Sequence, residues 1–243
     1  MSAGELVAVV AIVFLAASVQ TTTGFGFSLT AVPLMALAVD TRTASMLAAV
    51  LSLTTSATQA WQGRADIVWP LAKRLCTAAA IGMPVGLLMF ARADDRLLRV
   101  FLGITTLVLV ALLVHGIDLS RAGRSIDWVA GSVAGVLTTS LSTNGPPLVF
   151  VLQGRRLSPA QFRATVTTIF SLTGIVGVGG RVAVGGLTRD VVVACALAPL
   201  PLLAGMAIGF RLRRRLDPER FRRAVMALLV LAALSAIAAG LRG

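Results

Sequence analysis

Two polar clusters, each set inside a long apolar stretch, hold the residues best suited to chemistry. The first is Gln20-Thr21-Thr22-Thr23-Gly24-Phe25-Gly26 and the second Ser140-Leu141-Ser142-Thr143-Asn144-Gly145-Pro146-Pro147. Both combine hydroxyl or amide donors with helix-breaking residues, and neither carries a charge. Backbone that unwinds inside hydrocarbon is costly unless it is buried in protein or lines a wet cavity, so the clusters mark a cavity. A half-helix starting there turns unpaired N–H groups and the positive end of its dipole toward the cavity, which makes an anion site from neutral groups. Gly24 and Gly26 let the backbone approach a ligand. Asn144 suits an N-cap, and Pro146 suits the first turn of the following half-helix.

The candidate substrate-binding residues are therefore Gln20, Thr22, Thr23, Gly24, Phe25 and Gly26 from the first cluster. The second contributes Ser142, Thr143, Asn144, Gly145 and Pro146. Arg163, at the start of the next apolar run, would supply charge at the edge. Lys73, Arg74 and Arg181 also lie near run ends, where such residues ordinarily snorkel to the interface. A competing role for the clusters is close helix packing and kinking alone.

Other chemistry lacks its parts. All ten acidic residues lie at or near the ends of apolar runs, which leaves no intramembrane carboxylate for proton or sodium relay and no counter-charge for a cation. His115 ends a run, and Cys76 and Cys195 sit apart without metal-binding spacing. No GxSxG, HExxH, Walker loop or paired carboxylates occur. Neither an enzyme nor a metal or cofactor site is expected.

The elements that must hold the clusters follow from composition. Of 243 residues, 57% are hydrophobic and only 13% charged, with mean hydropathy +0.90, which excludes a soluble globular chain. The expected fold is an all-α polytopic membrane protein. Ordinary spans of about 20 residues are expected at 43–62, 69–90, 97–114, 164–180, 191–210 and 225–240, while 6–39 and 128–152 are the interrupted stretches. Segment 6–17 resembles the core of a signal peptide but lacks a positive flank, and is read as mature structure. The net charge of +12 is spread between apolar runs without a basic, aromatic-interleaved helix, so it reflects cytoplasmic loops and not nucleic acid. Trp61, Trp69 and Trp128 all lie near run ends, as an interfacial belt would place them.

The two clusters open similar blocks. Gly82-Met83-Pro84-Val85-Gly86 with Asp94 and Arg99 matches Gly205-Met206-Ala207-Ile208-Gly209 with Asp217 and Arg222. This spacing predicts two membrane repeats, 1–120 and 121–243, forming one transmembrane domain. Each is a broken or re-entrant helix pair followed by three transmembrane helices. Placing the arginine-rich segment 211–223 in the cytoplasm gives nearly equal loop charge whether or not the broken pair crosses. The re-entrant alternative, with the second repeat inverted, is favoured because inverted repeats with discontinuous helices are a common transporter architecture.

The chain resembles the TauE/SafE sulfite exporter family of bacterial anion transporters. The likeness is carried by Thr23-Gly24-Phe25-Gly26-Phe27, Val32-Pro33-Leu34 and the small-residue span 44–60, then by Asn144-Gly145-Pro146-Pro147-Leu148 and Gln161-Phe162-Arg163-Ala164-Thr165. It covers essentially the whole chain. Asn144 departs from the pattern, which places serine or a small residue before Gly-Pro-Pro. The resemblance implies export or uptake of sulfite, sulfonates or other small organic anions.

The sequence thus leads to a multi-pass secondary transporter of the bacterial inner membrane, moving a small organic or sulfur oxyanion by alternating access. A non-transporting membrane scaffold or assembly protein and an anion channel remain alternatives. The expected partners are a small anionic substrate and the lipid bilayer, not nucleic acid; a homodimer stays open.

Overall fold

The computed structural model describes residues 3–23, 25–115, 123–143, 145–155 and 157–212, with isolated positions between 227 and 241. These form α1 (Ala3–Thr23), α2 (Phe27–Met35), α3 (Thr41–Gln62), α4 (Trp69–Arg92), α5 (Asp95–His115), α6 (Arg124–Ser140), α7 (Gly145–Gly154), α8 (Pro159–Ala183), α9 (Arg189–Leu197) and α10 (Pro199–Leu212). No strand occurs among the described residues. The expected run 225–240 lies almost wholly outside them.

The helix boundaries have local causes. The Asp40 carboxylate accepts from the Thr43 N–H and starts α3. Ser158 and Gln161 form a reciprocal capping box ahead of α8, with Pro159 in its first turn. The expected run 191–210 is divided at Ala198, where Pro199 lacks an N–H to continue the ladder, and the two pieces bend by 49°.

Among the described residues three helices are long and apolar enough to cross a membrane, within Gly4–Thr22, Trp69–Arg92 and Pro159–Ala183, or four if the bent pair α9–α10 is one span. The expected break at 20–26 is narrower than its polar residues suggested. Gln20 to Thr23 are the last turn of an unbroken 21-residue helix. The expected span 43–62 does form α3, but that helix buries Thr41, Thr43, Ser45, Thr55 and Ser56. Its polarity is tolerable because hydroxyls bond back to the helix itself, Ser45 to Arg42 O at 3.0 Å and Thr55 to Ser52 O at 3.0 Å.

Small residues decide the packing, since lipid offers no hydrophobic advantage to helix association. Gly82 and Gly86 of α4 lie directly on the α6 backbone at Ser132 and Val136, and Gly135 of α6 lies on Ala79. Likewise Gly205 and Gly209 of α10 lie on α1 at Phe14 and Ser18. Hydroxyls reinforce both seams, Thr139 Oγ1 donating to Met83 O at 2.7 Å and Ser18 Oγ to Gly205 O at 3.1 Å. In each seam the residue numbers rise together, so the paired helices run parallel. The central pair α3 and α8 runs antiparallel, with Gly63 against Ala164 and Leu53 against Gly174.

The outside is apolar and the inside polar. Ile81, Val85, Val129, Val133, Ile175 and Leu200 are exposed, as lipid-facing residues are, whereas hydroxyl residues fill the interior. Trp61, Trp69 and Trp128 are exposed at helix ends on one face of the molecule, and Arg64 stacks on Trp61 with its Cζ 4.7 Å from the ring centre.

Candidate functional site

Each cluster ends one helix and starts a shorter one that folds back. Gly26 adopts φ 98°, a left-handed conformation that glycine takes without steric cost, and caps α2 from beside Val19 of α1. In the second cluster α6 ends at Ser140, the Thr143 N–H reaches back to Leu137 O, and Ser142 takes φ 60°. A non-glycine residue held there carries strain of the kind that concentrates at functional sites.

The two breaks meet. The Ser28 and Ser142 hydroxyls lie 3.4 Å apart, and the Phe25 and Phe170 rings border the space that a side chain on Gly145 would enter. Apolar residues are exchanged across the contact. Leu141 of the second break packs with α1, α2 and α3, while Phe25 of the first packs with α4, α6, α7 and α8. The N-termini of α2 and α7 therefore open on one region, each with backbone N–H groups that have no partner within the helix.

The other candidates divide into three groups. Gln20 is buried and fully engaged, its Nε2 donating to Ser56 Oγ and its Oε1 accepting from Thr55 Oγ1, both at 3.1 Å. Thr22 donates back along α1 to Ser18 O at 2.7 Å and lies 3.3 Å from Gly209 O of α10, which makes it part of the helix seam. Thr143 is buried beside Ser142 with its Oγ1 unpartnered. Thr23 ends α1 and Pro146 lies in the first turn of α7, as placed from sequence, but their side chains are not among those described. Gly24 and Asn144 lie outside the described residues.

Arg163 is not at the second break. It lines a cavity of about 180 Å³ with Thr21 of the first cluster and with Gln59, Gln62 and Asp66, at the end of the antiparallel pair where α3 finishes. A second large cavity, about 280 Å³, opens at the opposite end, where Asp40, Arg42 and Phe90 face Val184 and Thr188. Between them a pocket of about 20 Å³, room for about one water, is lined by Ser52, Thr138, Ser142, Phe170 and Arg181.

Arg181, expected to snorkel to the interface, is instead drawn inside. It is fully buried, donating from Nε to Thr139 O at 3.0 Å and from Nη2 to Thr138 O. Those carbonyls belong to the last turn of α6, which has no intrahelical donors left, so the guanidinium caps a helix end of negative polarity. A signal was present: Thr173, Gly177 and Arg181 recur every four residues on one face of α8, and Gly177 touches Thr138.

Ion pairs fasten the outer ends of the short helices. Asp127, buried in the first turn of α6, binds Arg74 at 2.6 Å and Arg155, just beyond α7, at 2.5 Å. Beyond α2, Asp95 accepts from the Thr41 N–H and pairs with Arg99, which also donates to Ala36 O. Burial pushes the Asp95 carboxyl up, but hydrogen bonds from Arg99 and Thr41 and the Arg99 charge outweigh it and hold the group below its ordinary value.

A family model described as sulfite exporter TauE/SafE matches residues 9–236. The chain belongs to the TauE/SafE family. It is 30% identical over 173 residues to a probable inner membrane transporter protein, TsaS, of Comamonas testosteroni, covering 70% of this chain and 72% of the relative. It is 28% identical over 223 residues to a probable sulfite/organosulfonate exporter, TauE, of Cupriavidus necator, covering 87% of this chain and 85% of the relative. No solved structure matches it. Membership in TauE/SafE, a transporter family, together with the apolar helices, makes this a multi-pass transporter of the inner membrane.

Proposed function

We propose that this TauE/SafE member carries a small sulfur oxyanion, sulfite or an organosulfonate, by alternating access around the paired breaks. The observation that carries this reading is the meeting of Ser28 and Ser142, which puts two half-helix N-termini on one buried region of hydroxyls and amides. Such a region stabilises an oxyanion through N–H and O–H donors. The name of the Cupriavidus necator relative, a probable sulfite/organosulfonate exporter, points to the same class of cargo.

Two inverted repeats, 1–120 and 121–243, would supply the motion. In support, α3 and α8, which occupy matching places in the two halves, run antiparallel, as helices related by an axis in the membrane plane do. The α4–α6 and α10–α1 seams answer one another across that axis. The two large cavities act as vestibules at opposite ends, Arg163 at one mouth and Arg42 at the other. Rocking of the halves would join each vestibule in turn to the constricted centre. The end bearing Arg64, Lys73, Arg74, Arg124, Arg155 and Arg163, where α3 finishes and α4, α6 and α8 begin, faces the cytoplasm by the positive-inside rule.

Flux into proteoliposomes tests the reading, using sulfite, sulfoacetate, taurine, sulfate and a carboxylate, with and without a pH gradient. Saturable flux of a sulfur oxyanion is expected. Flux linear in concentration would indicate a channel, and silence from folded protein would favour a scaffold.

A further inference from the structure

We propose that the Arg181 guanidinium is the charge that receives the anion, with the Phe90 ring as its cover on the side of the larger vestibule. Three observations converge on it. Arg181 is 0% exposed, yet none of the ion pairs among the described residues includes it. Two of its three guanidinium nitrogens, Nε and Nη2, are committed to α6 carbonyls, and Nη1 has no hydrogen-bond partner. The same side chain lines the central pocket together with Ser142, Ser52 and Thr138.

A guanidinium buried without an anion leaves its charge uncompensated, which is costly in a low-dielectric interior. Helix carbonyls offset part of that cost, since the C-terminal end of α6 is partially negative. They leave the net charge in place. An oxyanion entering the pocket would meet the N–H groups of Nη1 and the Ser142 hydroxyl, which together suit two oxygens of a sulfite or sulfonate group. The pocket, about 20 Å³, is too small for such a group, so the structure is a closed state and binding must widen it.

Phe90 shows where the opening lies. Its ring sits on the guanidinium, with Arg181 Cζ 5.2 Å from the ring centre, and also lines the 280 Å³ vestibule at the α3 N-terminal end. The ring thus separates the vestibule from the charge. Rotating it aside would join the two spaces without unwinding a helix. In the orientation given above this is the periplasmic side, so Arg181 is the charge an exported anion leaves as it enters the vestibule that Arg42 lines.

This assignment rests on the carrier reading but is tested separately, by thermal unfolding of the full chain in detergent. Sulfite, sulfoacetate, sulfate and acetate are the probes, with uncharged dimethyl sulfone as control. The wild type is expected to be stabilised by at least one sulfur oxyanion and not by the sulfone. Arg181→Gln should lose that stabilisation or need at least roughly tenfold more anion, as removal of a charged hydrogen bond predicts. Arg181→Lys, which keeps the charge and can still reach the α6 carbonyls, should retain it at several-fold weaker affinity. Phe90→Ala, which strips the cover and keeps the charge, should lose less affinity than Arg181→Gln.

A wild type stabilised by none of the anions overturns the proposal, as does a folded Arg181→Gln chain stabilised as strongly as the wild type. If Arg181→Gln does not fold, Arg181→Lys decides, and unchanged affinity there overturns it. Stabilisation through Arg181 in a protein that carries no anion into liposomes would keep this site and discard the carrier reading.

Discussion

Ser28 and Ser142 stand 114 positions apart in the chain and place their hydroxyls 3.4 Å from each other where two helices are interrupted. That contact joins the two breaks at one place in the interior. Ser142 holds φ 60° to reach that position. Ser142→Gly is expected to relieve strain, leaving stability unchanged or raised by up to about 1 kcal/mol. Transport should nonetheless fall, by about two- to tenfold, because a neutral donor is lost. Thermal unfolding and flux on one preparation check both parts, and undiminished flux would remove Ser142 from the site.

Asn144 is assigned from sequence as the cap of α7 and a donor to the anion. Asn144→Ala should lower transport while membrane insertion stays normal. Comparing membrane-fraction yield with liposome flux separates the two, and equal flux would exclude it.

The glycine seams should tolerate no methyl. A Cβ on Gly86 or Gly135 would overlap the carbonyl oxygens of Val136 or Ala79, which cannot move without separating α4 from α6. Gly86→Ala and Gly135→Ala are expected to destabilise by about 1–3 kcal/mol or more. Gly179→Ala, with no atom within 4 Å of the added methyl, should be near neutral. Unfolding midpoints of the three variants give the comparison.

Asp127 is the shared counter-charge of Arg74 and Arg155 and is itself 0% exposed. Asp127→Asn removes the carboxylate that Arg74 and Arg155 share at the outer end of α7. Loss of one partner from a buried pair typically costs about 3–5 kcal/mol. The expected result is a large fall in folded protein, and a yield and melting point like the wild type would refute the role.

Asp95 predicts the response to acid. Its folded pKa is below the ordinary 3.8, so its contribution is fully present above that value and is lost as pH falls through the lower folded value. Thermal midpoints taken from about pH 6 to about pH 3 should drop more steeply for the wild type than for Asp95→Asn. Parallel curves would show that the Asp95 hydrogen bonds to Thr41 and Arg99 carry no net stability.

The membrane class, the two interrupted stretches and the paired glycine motifs were legible in the residues themselves. Hydrocarbon imposes that legibility, because polar and helix-breaking residues inside an apolar run must be satisfied by the protein. The extent of each break was less legible. Gln20 to Thr23 look like a break but continue α1, since Thr21 and Thr22 hydroxyls bond back to Ala17 O and Ser18 O and Gln20 finds Ser56. Only the tertiary structure told the two arginines of α8 apart. Arg163 and Arg181 sit near opposite ends of the same helix and look alike as interfacial residues. What distinguishes them is that α6 stops beside Arg181, presenting unpaired carbonyls that hold the guanidinium inward, whereas Arg163 opens on the vestibule where α3 ends. That difference is a matter of where another helix terminates in space; the face of Thr173, Gly177 and Arg181 marks a packed side of α8 but does not say which helix stops against it.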